Sequence, residues 1–436
     1  MSESQDTRYL RWFGGTTVIA AVLVLVLNFL VDPYLVFGRS RTPGFNAIKP
    51  AVVTHEPIMK AYQASRVQAR TIILGSSRAA IGLDPDALTW PADFKPVYNL
   101  GVAGSDLGEN LRYLDVLLAN APAGATPKRL VVGLDFESFL SRPMPNVSRK
   151  VPATGSAAEQ AERLAMLAGG NAQSTPGGRV SLRRAKDAAS ALLTMDALLD
   201  SVGTVVSNVR RTGPDFKANG KVSESQLRAW TLAGSPHELF EQKHRLVQRQ
   251  YQPPRQWLGD TADGPIRGLR HLDLLFNMAR QRGLALILIV QPSHVSHHEH
   301  LFSLGYWDDF ERWKRALTAT AASARASGLN VTLMDLGTYD AAFAEPVYRR
   351  NQGPSTMRNF WDPVHYSTAL GAQLIEIVTS VEPSGPSLGA ALAPDTVDAW
   401  LLKIRQDRLA YRHSHPAEVE ETRRLVCGAV ACQEGP

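Results

Sequence analysis

Hydrophobic and polar positions fall into three regimes along the chain. From Phe13 to Val31, "FGGTTVIAAVLVLVLNFLV" carries no charge, and Asn28 is its only strongly polar side chain. A helix needs roughly 20 such residues to cross the hydrocarbon of a bilayer, so 13–31 is expected to span a membrane behind a short tail, 1–12. Trp12 and Tyr34 stand where interfacial aromatic residues collect. The following "VDPYLVFGRS" offers no small-x-small cleavage site, which favours an uncleaved anchor over a signal peptide. Residues 32–66 begin with a Pro-, Gly- and base-rich stretch without periodicity and read as a tether.

The second regime is a recurrence of short runs apolar on both faces: "TIILG" at 71, "PVYNLGV" at 96, "RLVVGLDF" at 129, "LALILIV" at 284 and "NVTLMDL" at 330. Buried parallel strands have this pattern. Amphipathic helices lie between them. "DLGENLRYLDVLLANAP" places Asp106 and Glu109 at capping-box spacing, "GLRHLDLLFNMARQRG" precedes the fourth strand, and "DDFERWKRALTATAASARASG" precedes the fifth. The alternation predicts an α/β domain over 67–380, with a central parallel sheet between two helical layers. Ligands of such sheets bind at the carboxyl ends of the strands.

The third regime interrupts the second. About residues 141–255, helical patches and Gly/Ala/Ser-rich stretches occur without a convincing strand, so a helical insertion is expected there. Residues 381–436 read as a linker and a peripheral helical tail.

Composition changes this picture little. With 44% hydrophobic and 20% charged residues, the bulk is globular. The net charge of +6 comes from scattered clusters such as "SLRRAKD" and "EETRRL", which read as solvated helix faces. No zinc-finger spacing or basic-aromatic ribbon points to nucleic acid. Arg8 and Arg11 before the span face Arg39, Arg41 and Lys49 after it, so charge leaves the orientation open. Cys427 and Cys432 are the only cysteines, and either a small disulfide loop or two free thiols fits them.

Candidate chemistry begins where the first strand stops. "GSSR" puts Ser76 and Ser77 at a strand's carboxyl end, where a hydroxyl and backbone N–H groups can face one crevice. An isolated G-S-S is more often only a turn. In "NFWDPVHYS", Asp362 and His365 are three residues apart in a loop, so the carboxylate can take the imidazole Nδ1 proton and turn Nε2 to a hydroxyl. Serine needs such a base to act as a nucleophile at neutral pH.

At these residues the chain resembles the SGNH hydrolase superfamily, which includes the GDSL esterases and lipases. The resemblance spans roughly residues 67–380 less the insertion. Gly75-Ser76-Ser77 stands where the family has Gly-Asp-Ser, "NLGVAGSD" matches its Asn-x-x-x-x-Gly block, and Asp362 and His365 match Asp-x-x-His. This implies a flavodoxin-like three-layer fold, a Ser77–His365–Asp362 triad, and an oxyanion hole from the N–H groups of Ser77 and Gly104. The third block departs: "GLDFESF" has Asp135 where the family has an oxyanion-holding Asn, and an ionised carboxylate cannot donate. With the anchor, "GSSR" is similar to membrane-anchored proteins of alginate acetylation and teichoic-acid D-alanylation. That likeness implies a single-pass protein of the bacterial inner membrane with its body outside the cytoplasm. It further implies an O-acyltransferase or esterase acting on an envelope or extracellular polysaccharide, with a membrane-bound O-acyltransferase as a partner and no cofactor. The rival reading is a non-catalytic glycan-binding or assembly component that retains the fold.

Four further residues are candidates for contacting substrate: Arg78, Asp135, Glu137 and His294. For Arg78 a structural ion pair competes equally. Asp84, ahead of Pro85, reads as a helix cap. The run "QPSHVSHHEH" reads as a loop after the fourth strand, and its spacing matches no metal-ligand motif, so no metal is expected.

Overall fold

In the computed structural model, the described residues are 5–64, 66–120, 127–140, 185, 187–223, 234–251, 255–259, 264–380, 388–427 and 432. Much of the expected insertion, including its helical patch at 156–170, and residues 381–387 of the expected linker lie outside them.

The five apolar runs form five strands: β1 (Thr71–Leu74), β2 (Val97–Asn99), β3 (Arg129–Leu134), β4 (Ala285–Val290) and β5 (Val331–Asp335). They pair in parallel in the order β2-β1-β3-β4-β5, and a sixth strand, β6 (Ala390–Ala391), lies antiparallel to β5. Strands β1 to β4 are buried on both faces apart from their first residues in β3 and β4, as their composition requires. β5 differs: Thr332 is exposed and Met334 half-buried, so one face of this strand near the sheet edge lacks full cover.

The chain steps from β1 to β2 in one direction and then reverses over β1 to reach β3. Right-handed crossovers place helices from opposite steps on opposite faces. Thus α3 (Ser77–Gly82), between β1 and β2, lies on one face. The helices α4 (Leu107–Asn120), α7 (Leu269–Arg282) and α9 (Trp307–Ala326), which lead into β3, β4 and β5, share the other and pack side by side. Helix α10 (Thr368–Thr379) packs on α3. The reversal opens a crevice beyond the carboxyl ends of β1 and β3, where doubly wound sheets bind ligands.

Helix α1 (Gln5–Val31) holds the apolar run. Only a stripe of its last turns, Val24, Leu27, Asn28 and Val31, is covered, while Val18, Ile19, Val22 and Leu23 are exposed. The expected tether is not loose. Tyr34, Leu35 and Val36 are buried, Asp32 accepts the N–H groups of Phe37 and Arg39, and α2 (Glu56–Ala64) forms within it. Buried Lys49 donates to the carbonyls of Val31 and Asp32, closing the carboxyl end of α1 with a cation.

Within the insertion, α5 (Met195–Arg210) and α6 (Pro236–Gln250) are described, the second opened by a Ser235–Glu238 capping box. The histidine run is not a loop: His294 caps α8 (Val295–Ser303). Asp84 caps a turn rather than a helix, accepting the Asp86 N–H at 3.0 Å. The tail forms α11 (Val397–Ser414) and α12 (Pro416–Cys427). It is part of the core, because Trp400 donates to Asp335 at 2.9 Å and Arg405 makes two 2.6 Å bonds to Glu311. Cys427 and Cys432 form a disulfide.

Candidate active site

Strand β1 delivers Ser77 to the crevice. After Leu74 the chain turns into α3, where the Ser76 hydroxyl accepts the Arg78 N–H at 3.3 Å and caps the helix, leaving Ser77 as its first residue. On the other side of the crevice, the 361–367 loop is closed by Trp361 N–H to His365 O (2.8 Å), and Ser367 then caps α10. The His294 N–H pins this loop to the end of β4 through the Pro363 carbonyl, 2.9 Å away.

Loop and helix end meet at Ser77. His365 Nε2 lies 2.8 Å from Ser77 Oγ, and His365 Nδ1 lies 2.6 Å from Asp362 Oδ2. An ionised carboxylate only accepts, so Asp362 holds the proton on Nδ1 and leaves the Nε2 lone pair for the serine hydroxyl. The other oxygen, Oδ1, accepts the N–H groups of Val364 and His365, each at 2.9 Å. Burial alone would raise the Asp362 carboxyl. The electrostatic and hydrogen-bond interaction with His365, together with Lys243 and the Val364 N–H, overcomes it and holds the group well below the usual carboxylate range.

Ser77 and His365 face a cleft of about 260 Å³ lined also by Ser76, Gly104, Ser138, Lys243 and Gln250. Gly104 sits at φ +73°, where a side chain would be strained. Its N–H and that of Ser77 donate to no described residue. The loop bearing Gly104 is fixed from below. Glu56 accepts the Ala103 N–H at 3.2 Å and pairs with buried Lys60 at 3.1 Å, and Lys60 donates to the Gly101 carbonyl. Asn110 joins the two backbone segments, accepting the Gly75 N–H (3.0 Å) and donating to Ser105 Oγ (2.9 Å).

Three of the four candidate substrate contacts, Arg78, Asp135 and Glu137, line this cleft and are also engaged with one another. Arg78, 8% exposed, donates to Glu137 (2.9 Å) and Ser293 (3.1 Å) and pairs with Asp135 (3.4 Å), tying the ends of β1, β3 and β4 together. Gln291 donates to Asp135 at 2.9 Å and accepts from Tyr366 at 3.1 Å, linking this brace to the residue after His365. Burial works to raise Glu137, but Arg78 and the His297 hydrogen bond (2.6 Å) hold it well below its usual range. Asp135 is raised by burial, against Arg78 and with Glu137. Asp135 therefore serves the brace at the carboxyl end of β3.

His294 lies outside this cleft. It lines a separate pocket of about 220 Å³ with Phe240, His244 and Tyr411. Its Nε2–H donates to the Glu345 carbonyl (2.8 Å), so its Nδ1 accepts from Ser296 Oγ (2.9 Å). Ser296 Oγ then accepts from His244 Nε2 (3.1 Å), whose Nδ1 in turn accepts from His300 Nδ1 (3.0 Å). Neutral imidazoles satisfy every bond of this chain. Burial pushes His244 down to about 3 and His294 to about 4. No group of three or more metal-ligating side chains forms among the described residues.

Lys243, Glu56, Lys60, Asn110 and Gln291 were not recognisable as site residues in the sequence. For Lys243 the signal was the Ser235–Glu238 capping box, which marks α6, but nothing local says that α6 borders the cleft. No protein-family model, curated protein or solved structure matches this chain.

Proposed function

We propose that this chain is a membrane-anchored serine enzyme of acyl esters, an O-acyltransferase or esterase acting on a cell-envelope or extracellular polysaccharide. The observation that carries the reading is the unbroken Ser77–His365–Asp362 hydrogen-bond chain at the edge of an open cleft. In the first step the Ser77 oxygen bonds to the acyl carbon while its proton passes to His365 Nε2, and the developing oxyanion faces the N–H groups of Ser77 and Gly104. Collapse expels the alcohol, which leaves with the proton from His365. Water or a sugar hydroxyl then repeats the sequence in reverse and frees Ser77. The hydroxyl, amide, carboxylate and cationic groups on the cleft wall suit a carbohydrate better than a lipid chain.

The anchor reading draws support from α1 itself. Its last turn is bonded into the body through Asn28, Val31 and Asp32, which suits a permanent helix better than a removed leader. The Cys427–Cys432 disulfide fits an oxidising compartment, and with it a body on the outer face of a bacterial inner membrane.

Labelling of the full-length chain in detergent with a fluorophosphonate tests the activated serine. Wild type is expected to label, and Ser77→Ala and His365→Ala to lose the label. A folded wild-type chain that does not react overturns the catalytic reading in favour of a binding component.

A further inference from the structure

Helix α5 is amphipathic in the inverted sense. Its body-facing stripe is small and polar: Ala197, Ser201, Thr204 and Asn208 are all buried. Its outward stripe is aliphatic: Met195, Leu199, Val202, Val206 and Val209 recur at spacings of four and three and are 41% to 71% exposed. Leu193, just before it, is 63% exposed. A helix facing water has the opposite arrangement.

The position of α5 explains the inversion. It packs against α1. Asn28, the one strongly polar residue of the apolar run, donates to the Leu192 carbonyl at 2.9 Å, and Tyr34, just past the run, donates to Asp200 at 2.7 Å. At about 1.5 Å per residue, residues 13–31 extend about 28 Å, no more than the hydrocarbon thickness of about 30 Å. The run can cross only if its last turn, including Asn28, remains at lipid depth. Leu192 and the start of α5 are bonded to that turn and must sit at the same level.

We propose that the outward face of α5 is a second membrane contact, seated in the lipid at the boundary where α1 leaves the bilayer. The inference rests on the anchor reading. The helix lies along the lipid rather than spanning it, because its inner stripe is committed to the body: Asn208 bonds both backbone groups of Ile48, at 2.7 and 2.9 Å. Arg210 and Arg211 at its end suit a headgroup layer. The contact has a structural consequence for the cleft. Leu35 and Val52, beside α1 and α5, share a buried cluster with Ile81 of α3, the helix that carries Ser77. Two attachments, α1 and α5, fix the tilt of the body where one would leave it free to swivel.

Site-directed spin labelling of the full-length chain in phosphatidylcholine–phosphatidylglycerol vesicles tests this. Labels are placed with Val22→Cys on α1, Leu199→Cys and Val206→Cys on α5, and Leu402→Cys on α11, and the native cysteines are paired and do not react. Labels on α5 are expected to match Val22 in high accessibility to oxygen and low accessibility to a water-soluble nickel chelate, with Leu402 severalfold more open to the chelate. Water-like labels on α5 beside a lipid-like Val22 overturn the inference and leave the anchor standing. A water-like Val22 removes both. Labels on α5 shielded from both reagents assign the face to a second protein surface and overturn the lipid contact.

Discussion

Arg78 shows how one position can carry two readings that only its neighbours separate. Next to Ser77 it could bind an anionic substrate, but its guanidinium is engaged with Glu137, Asp135 and Ser293. Removing one partner of a buried ion pair leaves uncompensated charge and costs about 3–5 kcal/mol. Arg78→Ala is therefore expected to lower the unfolding free energy measured by urea titration by that amount, with two carboxylates stranded. Unchanged stability with a raised KM would return Arg78 to the role of a substrate contact. Asp362 makes the complementary point. Its role followed from spacing alone, since three residues in a loop bring a carboxylate to Nδ1. The roles of Asp135 and Glu137 did not, because they depend on which side chain arrives from α3.

At the scale of elements, the distance between Ser77 and His365 is set by how closely α3 approaches α10. A methyl group on Gly371 would stand 1.9 Å from the Gly82 carbonyl, and one on Gly82 would enter the ring of Tyr366. The missing side chain of Gly371 lets α10 touch the end of α3 backbone to backbone, and that of Gly82 makes room for the Tyr366 ring. Gly371→Ala is expected to cost about 1–3 kcal/mol. By moving α3 it should also slow fluorophosphonate labelling about a hundredfold, the usual penalty for a shift of about 1 Å. Gly203→Ala, also inside a helix but with nothing within 4 Å, is the matched control: it should raise stability by up to about 1 kcal/mol through helix propensity and leave labelling unchanged. Equal labelling rates in the two variants would show that this contact does not position the site.

For the molecule as a whole, buried imidazoles make stability depend on pH. The unfolded chain binds protons at its histidines below about pH 6.5, whereas folded His244 and His294 stay neutral down to about 3 and 4, and His298 and His300 are also pushed well below their usual value by burial. Above pH 6.5 neither state binds these protons and nothing is lost. As pH falls below it, the unfolded state gains protons that the folded state refuses, so stability drops, by about 1–2 kcal/mol per imidazole at pH 5. The carboxylates of Asp362 and Glu137, held low in the fold, add their loss only below about pH 4. The urea midpoint is expected to be clearly lower at pH 5 than at pH 7.5. A midpoint that does not move would mean that these rings are solvated or charged in the folded state.

Legible in local sequence were the five parallel strands, the helices that cross between them, the apolar N-terminal helix and the residues Ser77, Asp362 and His365 that the fold brings together. These are local matters: strand and helix periods are written in neighbouring residues, and a serine at a strand end or a carboxylate three residues before an imidazole is a short-range pattern. Tertiary structure alone decided what those elements lean on. It packed 32–66 against the body, where sequence read a tether, because Lys49 and Asp32 find partners that no local pattern reveals. It drew the tail beyond 381 into the sheet and core through Ala390–Ala391 and Trp400. It placed His294 in another pocket and Lys243 in the cleft. Each of these outcomes depends on partners distant in the chain, and a buried charge or an inverted helix face has meaning only once its neighbour is known.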